Sequence, residues 1–116
     1  MVIISVDDHV SEPADMFDNH LSGEDLATAP KLKTTDSGTN FWEYQGIIMP
    51  AVGLNAVSGR VPEEYGMEPT AYSQLRKGVY DVHARIDDMN ADGIAASMNF
   101  GSCLAFEAGV LHRAAD

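Results

Sequence analysis

The chain has 116 residues, 45% of them apolar and 22% charged, with 18 acidic against 7 basic side chains and a formal net charge of −11. That apolar fraction excludes an intrinsically disordered polymer and fits one globular domain, which buries roughly two-thirds of its unfolded surface around a modest core. The basic residues are scattered and adjacent only at Arg76-Lys77, which argues against nucleic acid or an anionic membrane as partner, since both demand clustered Lys and Arg.

Met1 to Val6 is apolar, yet it lacks a basic flank and meets Asp7-Asp8 at once, far short of a secretory or membrane-spanning segment. Within it, Ile3, Ile4 and Val6 form a β-branched run without alternation, which predicts a strand covered on both faces, as in a parallel sheet. Asp7 to Glu12 is polar and follows the C-terminal end of that strand. Pro13 suits the first turn of a short helix through Phe17. Ser22 reads as the N-cap of a second short helix that Pro30 closes.

From Lys31 the pattern becomes β. Lys31 to Thr35, a turn over 36–39, Phe41 to Gln45 and, past Gly46, Ile47 to Met49 predict a small β-hairpin insertion. Trp42 and Tyr44 belong to its packing. Pro50 to Pro69 is rich in glycine and proline and predicts a long ordered loop. Thr70 to Lys77 predicts one or two helical turns ended by Gly78.

Val82, Ile86 and Met89 recur at helical spacing and mark an amphipathic helix, with Gly93 as its left-handed cap. Ile94 to Phe100 is a second apolar strand, so strand, helix and strand predict a βαβ unit with a right-handed crossover. Cys103 is the single cysteine; without a basic sequence neighbour it is expected to be an inert thiol, and no disulfide or zinc knuckle can form within the chain. A reducing, cytoplasmic setting is expected. The tail from 104 to 116 is helix-prone.

The chemistry concentrates in Ser5-Val6-Asp7-Asp8-His9-Val10-Ser11-Glu12-Pro13. Side chains two apart on an extended backbone point the same way, so Asp7 and His9 can converge on one cation while Asp8 turns aside. A carboxylate oxygen with an imidazole nitrogen suits Zn²⁺ first and Mn²⁺ as an alternative. Glu12, three residues on, is a further candidate for the same centre. The competing reading is an acidic, solvated loop that happens to include a histidine.

Asp88-Met89-Asn90-Ala91-Asp92-Gly93 matches the first six positions of a calcium loop. Position twelve is Asn99 instead of a bidentate Glu, and position eight is Ala95, so an acidic helix terminus with a glycine cap is preferred. Arg60 is a candidate for gripping a substrate carboxylate, with a loop-bracing salt bridge as the alternative. His20, His83 and His112 have no partner at ligand spacing and are expected on the surface or at helix ends.

The segment Ile4-Ser5-Val6-Asp7-Asp8-His9-Val10-Ser11-Glu12-Pro13 resembles the opening of the amidohydrolase-related proteins that include aminocarboxymuconate semialdehyde decarboxylase and the resorcylate decarboxylases. Arg85-Ile86-Asp87-Asp88-Met89-Asn90-Ala91-Asp92-Gly93-Ile94 is similar to the helix and second strand that follow in that family. Leu54-Asn55-Ala56-Val57-Ser58-Gly59-Arg60 and Pro62-Glu63-Glu64-Tyr65-Gly66 resemble a loop of one of its branches. The similarity runs from Ile3 to about Phe100.

The resemblance implies an α/β chain that forms the N-terminal part of a (β/α)₈ TIM barrel, left incomplete, with the hairpin as an insertion. Strand one and the metal motif would occupy 2–13, the insertion and loop 14–79, the helix and strand two 80–100, and a truncated helix 104–116. It implies Asp7 and His9 as metal ligands in the carboxylate variant of the family's paired motif. The family's other ligands, a mid-barrel histidine and a late aspartate, have no counterpart here, and no catalytic residue falls within this chain.

A full barrel needs roughly 250 residues, and catalytic zinc normally has three protein ligands. The expectation is therefore an inactive N-terminal portion of a metal-dependent hydrolase or non-oxidative decarboxylase acting on a small carboxylate or ring substrate. The alternatives are a self-contained α+β module that binds a divalent ion, and a module whose sheet edge another chain covers, an oligomer included.

Overall fold

A computed structural model describes residues 2–50, 52–53, 56–65 and 70–102. The expected helix over 104–116, Cys103, His112, the Leu54-Asn55 and Gly66 parts of the loop motifs and the loop's end over 67–69 lie outside the described residues.

Strand β1 (Ile3–Val10) opens the chain, followed by the short helices α1 (Met16–His20) and α2 (Gly23–Thr28). Strands β2 (Lys31–Thr34), β3 (Asn40–Tyr44) and β4 (Ile47–Met49) come next, and three 3₁₀ turns lead to helix α3 (Val82–Asp92) and strand β5 (Ile94–Gly101). The result is a mixed α/β arrangement with a parallel β1-β5 pair and an antiparallel β2-β3-β4 sheet. Among the described residues no strands close into a barrel.

The antiparallel sheet follows the expected hairpin pattern. Leu32 pairs with Trp42, and Trp42 with Met49, so one face gathers the apolar side chains. Trp42, Met49 and Val52 form the buried core there, with Phe17, Leu32, Tyr44, Ile47 and Tyr72 packed around them. Phe17 meets Trp42 edge to face, ring centroids 5.5 Å apart, a favoured aromatic geometry.

Three local expectations shift. Pro13 lies before the first helix, and the Met16 N–H closes a turn onto the Pro13 carbonyl at 3.0 Å. Thr70 to Gly78 forms two separate 3₁₀ turns, Tyr72–Gln74 and Lys77–Val79, with Gly78 inside the second. Strand β1 does not stop at Val6; it continues to Val10, because β5 supplies partners for Asp8, His9 and Val10.

Helix α3 ends at the glycine its sequence predicts, and its N-terminus carries a side-chain cap as well. The Asp81 carboxylate accepts from the Ala84 N–H at 2.9 Å. Gly93, at φ 71°, turns its N–H back onto Asn90 and Met89, so the calcium-like hexapeptide is a helix end closed by a left-handed glycine. Two of its three seam residues face outward, however: Val82 is 65% and Ile86 47% exposed, while Met89 is half-buried. Ile4 and Val6 on β1 and Met98 on β5 are also exposed. The strand expected to be covered on both faces is therefore open, and the described core sits in the insertion.

Candidate functional site

Strand β1 and strand β5 run parallel, so the C-terminal ends of both lie at one edge, where ligands bind in open α/β sheets. Asp7 and His9 stand at that end of β1, and Asp7 Oδ1 lies 3.7 Å from His9 Nε2. Their side chains are 82% and 40% exposed, respectively. The Phe100 ring, on the neighbouring residue of β5, lies 6.1 Å from the His9 ring.

Asp8 turns to a different set of partners. Ser5 donates its hydroxyl to Asp8 Oδ1 at 2.6 Å, Ser97 donates to Oδ2, and Arg85 Nη2 stands 3.2 Å from Oδ2. The Ser5 hydroxyl first, then Ser97 and the Arg85 guanidinium, hold this carboxyl below the usual aspartate range against the opposing effect of burial.

Glu12 is not brought to the Asp7/His9 pair. It is buried, Ser102 donates to its Oε2 at the end of β5, and Tyr72 donates its phenol to the Glu12 carbonyl at 2.5 Å. Among the described residues, no three His, Cys, Asp or Glu side chains cluster in a way that could hold a metal ion. Arg60 Nη2 donates to the Gln74 carbonyl at 3.0 Å, so this side chain braces the loop through a backbone oxygen, where a salt bridge was the expected form of bracing.

A cavity of about 360 Å³ lies beside the pair, and Ala56 and Val57 of the long loop, with Arg76 and Arg85, share its wall with Asp7 and His9. The insertion is fastened over this end of β1. The Ser11 N–H reaches the Val79 carbonyl at 2.9 Å, and the Ser11 hydroxyl donates to the Val52 carbonyl. Arg76 forks onto Asp88, which lowers the Asp88 carboxyl and raises the guanidinium through their shared hydrogen bonds.

The roles of Arg85 and Asp8 were not separable in sequence, because their contact spans most of the chain. The only local signal was that Asp8 alternates with the two proposed ligands. No helix among the described residues is long and apolar enough to cross a membrane. No family model matches the chain, and no curated protein matches it.

Proposed function

We propose that Asp7 and His9 are the strand-one ligands of a metal-dependent hydrolase or non-oxidative carboxy-lyase of the amidohydrolase-related kind, acting on a small carboxylate or ring substrate. The observation that carries this is the 3.7 Å approach of Asp7 Oδ1 to His9 Nε2 at the C-terminal end of a parallel strand. Two donors bound tetrahedrally to one zinc ion stand about 3.3 to 3.5 Å apart. A small side-chain adjustment therefore lets both reach the same ion, and their oxygen and nitrogen chemistry suits Zn²⁺ or Mn²⁺.

A divalent ion there supplies Lewis-acid polarisation of a water or of a substrate carboxylate. Asp7 and His9 would hold such an ion, and Ala56 and Val57 wall the adjoining cavity. The exposed Ile4, Val6, Met98 and Phe100 support the barrel part of the proposal, because parallel sheets are normally covered on both faces. Further parallel strands would turn that apolar face into a barrel interior and bring the remaining ligands.

Titration of Co²⁺ or Zn²⁺ into the 116-residue chain tests the site. Saturable binding near one equivalent, lost in both Asp7→Asn and His9→Gln, is expected, with affinity below that of a three-ligand site. Absence of binding, or binding that survives both substitutions, overturns it. The same exposed face favours a second reading, a module covered by another chain, for which a melting temperature that rises with protein concentration is the signature.

A further inference from the structure

We infer that Asp8 and Arg85 are positioning residues, which lock a β-bulge in β1 and thereby fix the face of the strand on which Asp7 and His9 stand. The register carries the first step. Ser5 pairs with Ser97 and Asp8 with Asn99, so β1 advances three residues while β5 advances two. One extra residue is accommodated in β1, the signature of a bulge, a device that re-aims side chains beside functional sites.

The hydrogen bonds carry the second step. On a regular strand Ser5 and Asp8, three apart, face opposite sides. Here the Ser5 hydroxyl donates to Asp8 Oδ1 at 2.6 Å, and Ser97, the cross-strand partner of Ser5, donates to Oδ2. The bulge brings Asp8 round to the Ser5 side, and two hydroxyls from two strands fasten it there. Both Asp8 oxygens are then engaged by neighbouring donors, which makes Asp8 an anchor.

Arg85 completes the lock from α3. Nη2 pairs with Asp8, while Nη1 donates to the His9 carbonyl at 3.4 Å and the Gly78 carbonyl at 3.3 Å. One rigid guanidinium thus ties the bulged carboxylate, the backbone of a proposed ligand and the 3₁₀ turn that precedes the helix. The planar fork of arginine reaches these acceptors from two nitrogens held a fixed distance apart, whereas lysine offers a single nitrogen. The Arg85 side chain is only 20% exposed, so loss of the Asp8 charge leaves a half-buried cation without its counter-ion.

The effect on cation affinity rests on the proposed role of Asp7 and His9, whereas the effect on strand geometry does not. The test compares the 116-residue chain with Asp8→Asn, Arg85→Met, Arg85→Lys and Ser97→Ala by aromatic NMR and Co²⁺ titration. His9 and Phe100 ring signals report the strand geometry, and Trp42 and Phe17 signals report the distant core. Shifted His9 and Phe100 signals with unmoved Trp42 and Phe17 signals are expected in Asp8→Asn and Arg85→Met, with a partial return in Arg85→Lys. Co²⁺ affinity should fall by about tenfold or more in the first two variants.

His9 and Phe100 signals that superpose on those of the parent overturn the inference. If Asp8→Asn and Arg85→Met lose the Trp42 signals as well, Ser97→Ala decides: a smaller shift of the His9 ring supports the lock, and none overturns it. Failure of the parent chain to bind Co²⁺ removes the metal-site reading alone, because the ring signals still decide the positioning role.

Discussion

Gly78 lies against the Asp88 carboxylate with no space for a side chain: a β-carbon there would stand 2.2 Å from Asp88 Oδ2 and 3.4 Å from the Arg85 Cα. Arg76 Nε holds that same oxygen at 2.9 Å, and Arg76 Nη2 holds the other, so Asp88 cannot swing away without breaking the fork. Gly78→Ala is expected to lower the melting temperature by about 5 °C. A melt followed by circular dichroism checks it, and an unchanged midpoint contradicts the steric account.

Acid should weaken the N-terminus of α3 through Asp81. The Ala84 N–H, and then Lys77 at 3.3 Å, hold this carboxyl below its ordinary value of 3.8, more than offsetting burial. The unfolded chain therefore takes up the proton first as pH falls. The stabilisation is fully present above the unfolded value and is lost as pH drops through the lower folded one. Asp81→Asn keeps an acceptor for the cap but has no charge to lose. Its urea midpoint should fall less between pH 7 and pH 3 than that of the parent, and an equal fall contradicts this.

The insertion core and the outer face of α3 should respond very differently to truncation. Trp42 is 2% exposed and packs with Met49 and Val52, so Trp42→Ala should cost on the order of 3–5 kcal/mol. Ile86→Ser removes an apolar side chain that is 47% exposed and should change stability by no more than about 0.5 kcal/mol. Urea titrations of both variants measure the contrast. A large loss for Ile86→Ser means that another surface covers this face in solution.

Cation binding at Asp7 and His9 should stabilise the fold by linkage. A free ion at a hundredfold its dissociation constant adds about 2.7 kcal/mol when it binds only the folded chain. Thermal melts with Zn²⁺, followed by excess chelator, should show a rise and its reversal in the parent and neither in His9→Gln. A rise of the same size in His9→Gln places the bound ion elsewhere.

Features governed by near neighbours were legible without coordinates. The strand pattern of Leu32, Trp42 and Met49, the helix marked by Val82, Ile86 and Met89 with its left-handed Gly93, and the shared side of Asp7 and His9 all depend on interactions a few residues apart. The periods of strand and helix encode these directly. The apolar spacing of Val82 and Ile86 was equally legible, yet it did not say what covers that face, because periodicity defines a face and not its partner.

Tertiary structure alone decided the rest of the site. Glu12 turns to Ser102 because β5 ends beside it. The bulge exists because β5 offers Ser97 and Asn99 where β1 brings Ser5 and Asp8. Arg85 reaches Asp8 and the His9 carbonyl only after α3 has docked. Each contact joins residues far apart in the chain, and its geometry follows from strand register and helix docking, which no local propensity specifies. The sequence by itself determined which residues carry oxygen and nitrogen donors at the end of the first strand; the packing of β5 and α3 against that strand decided how those donors are held.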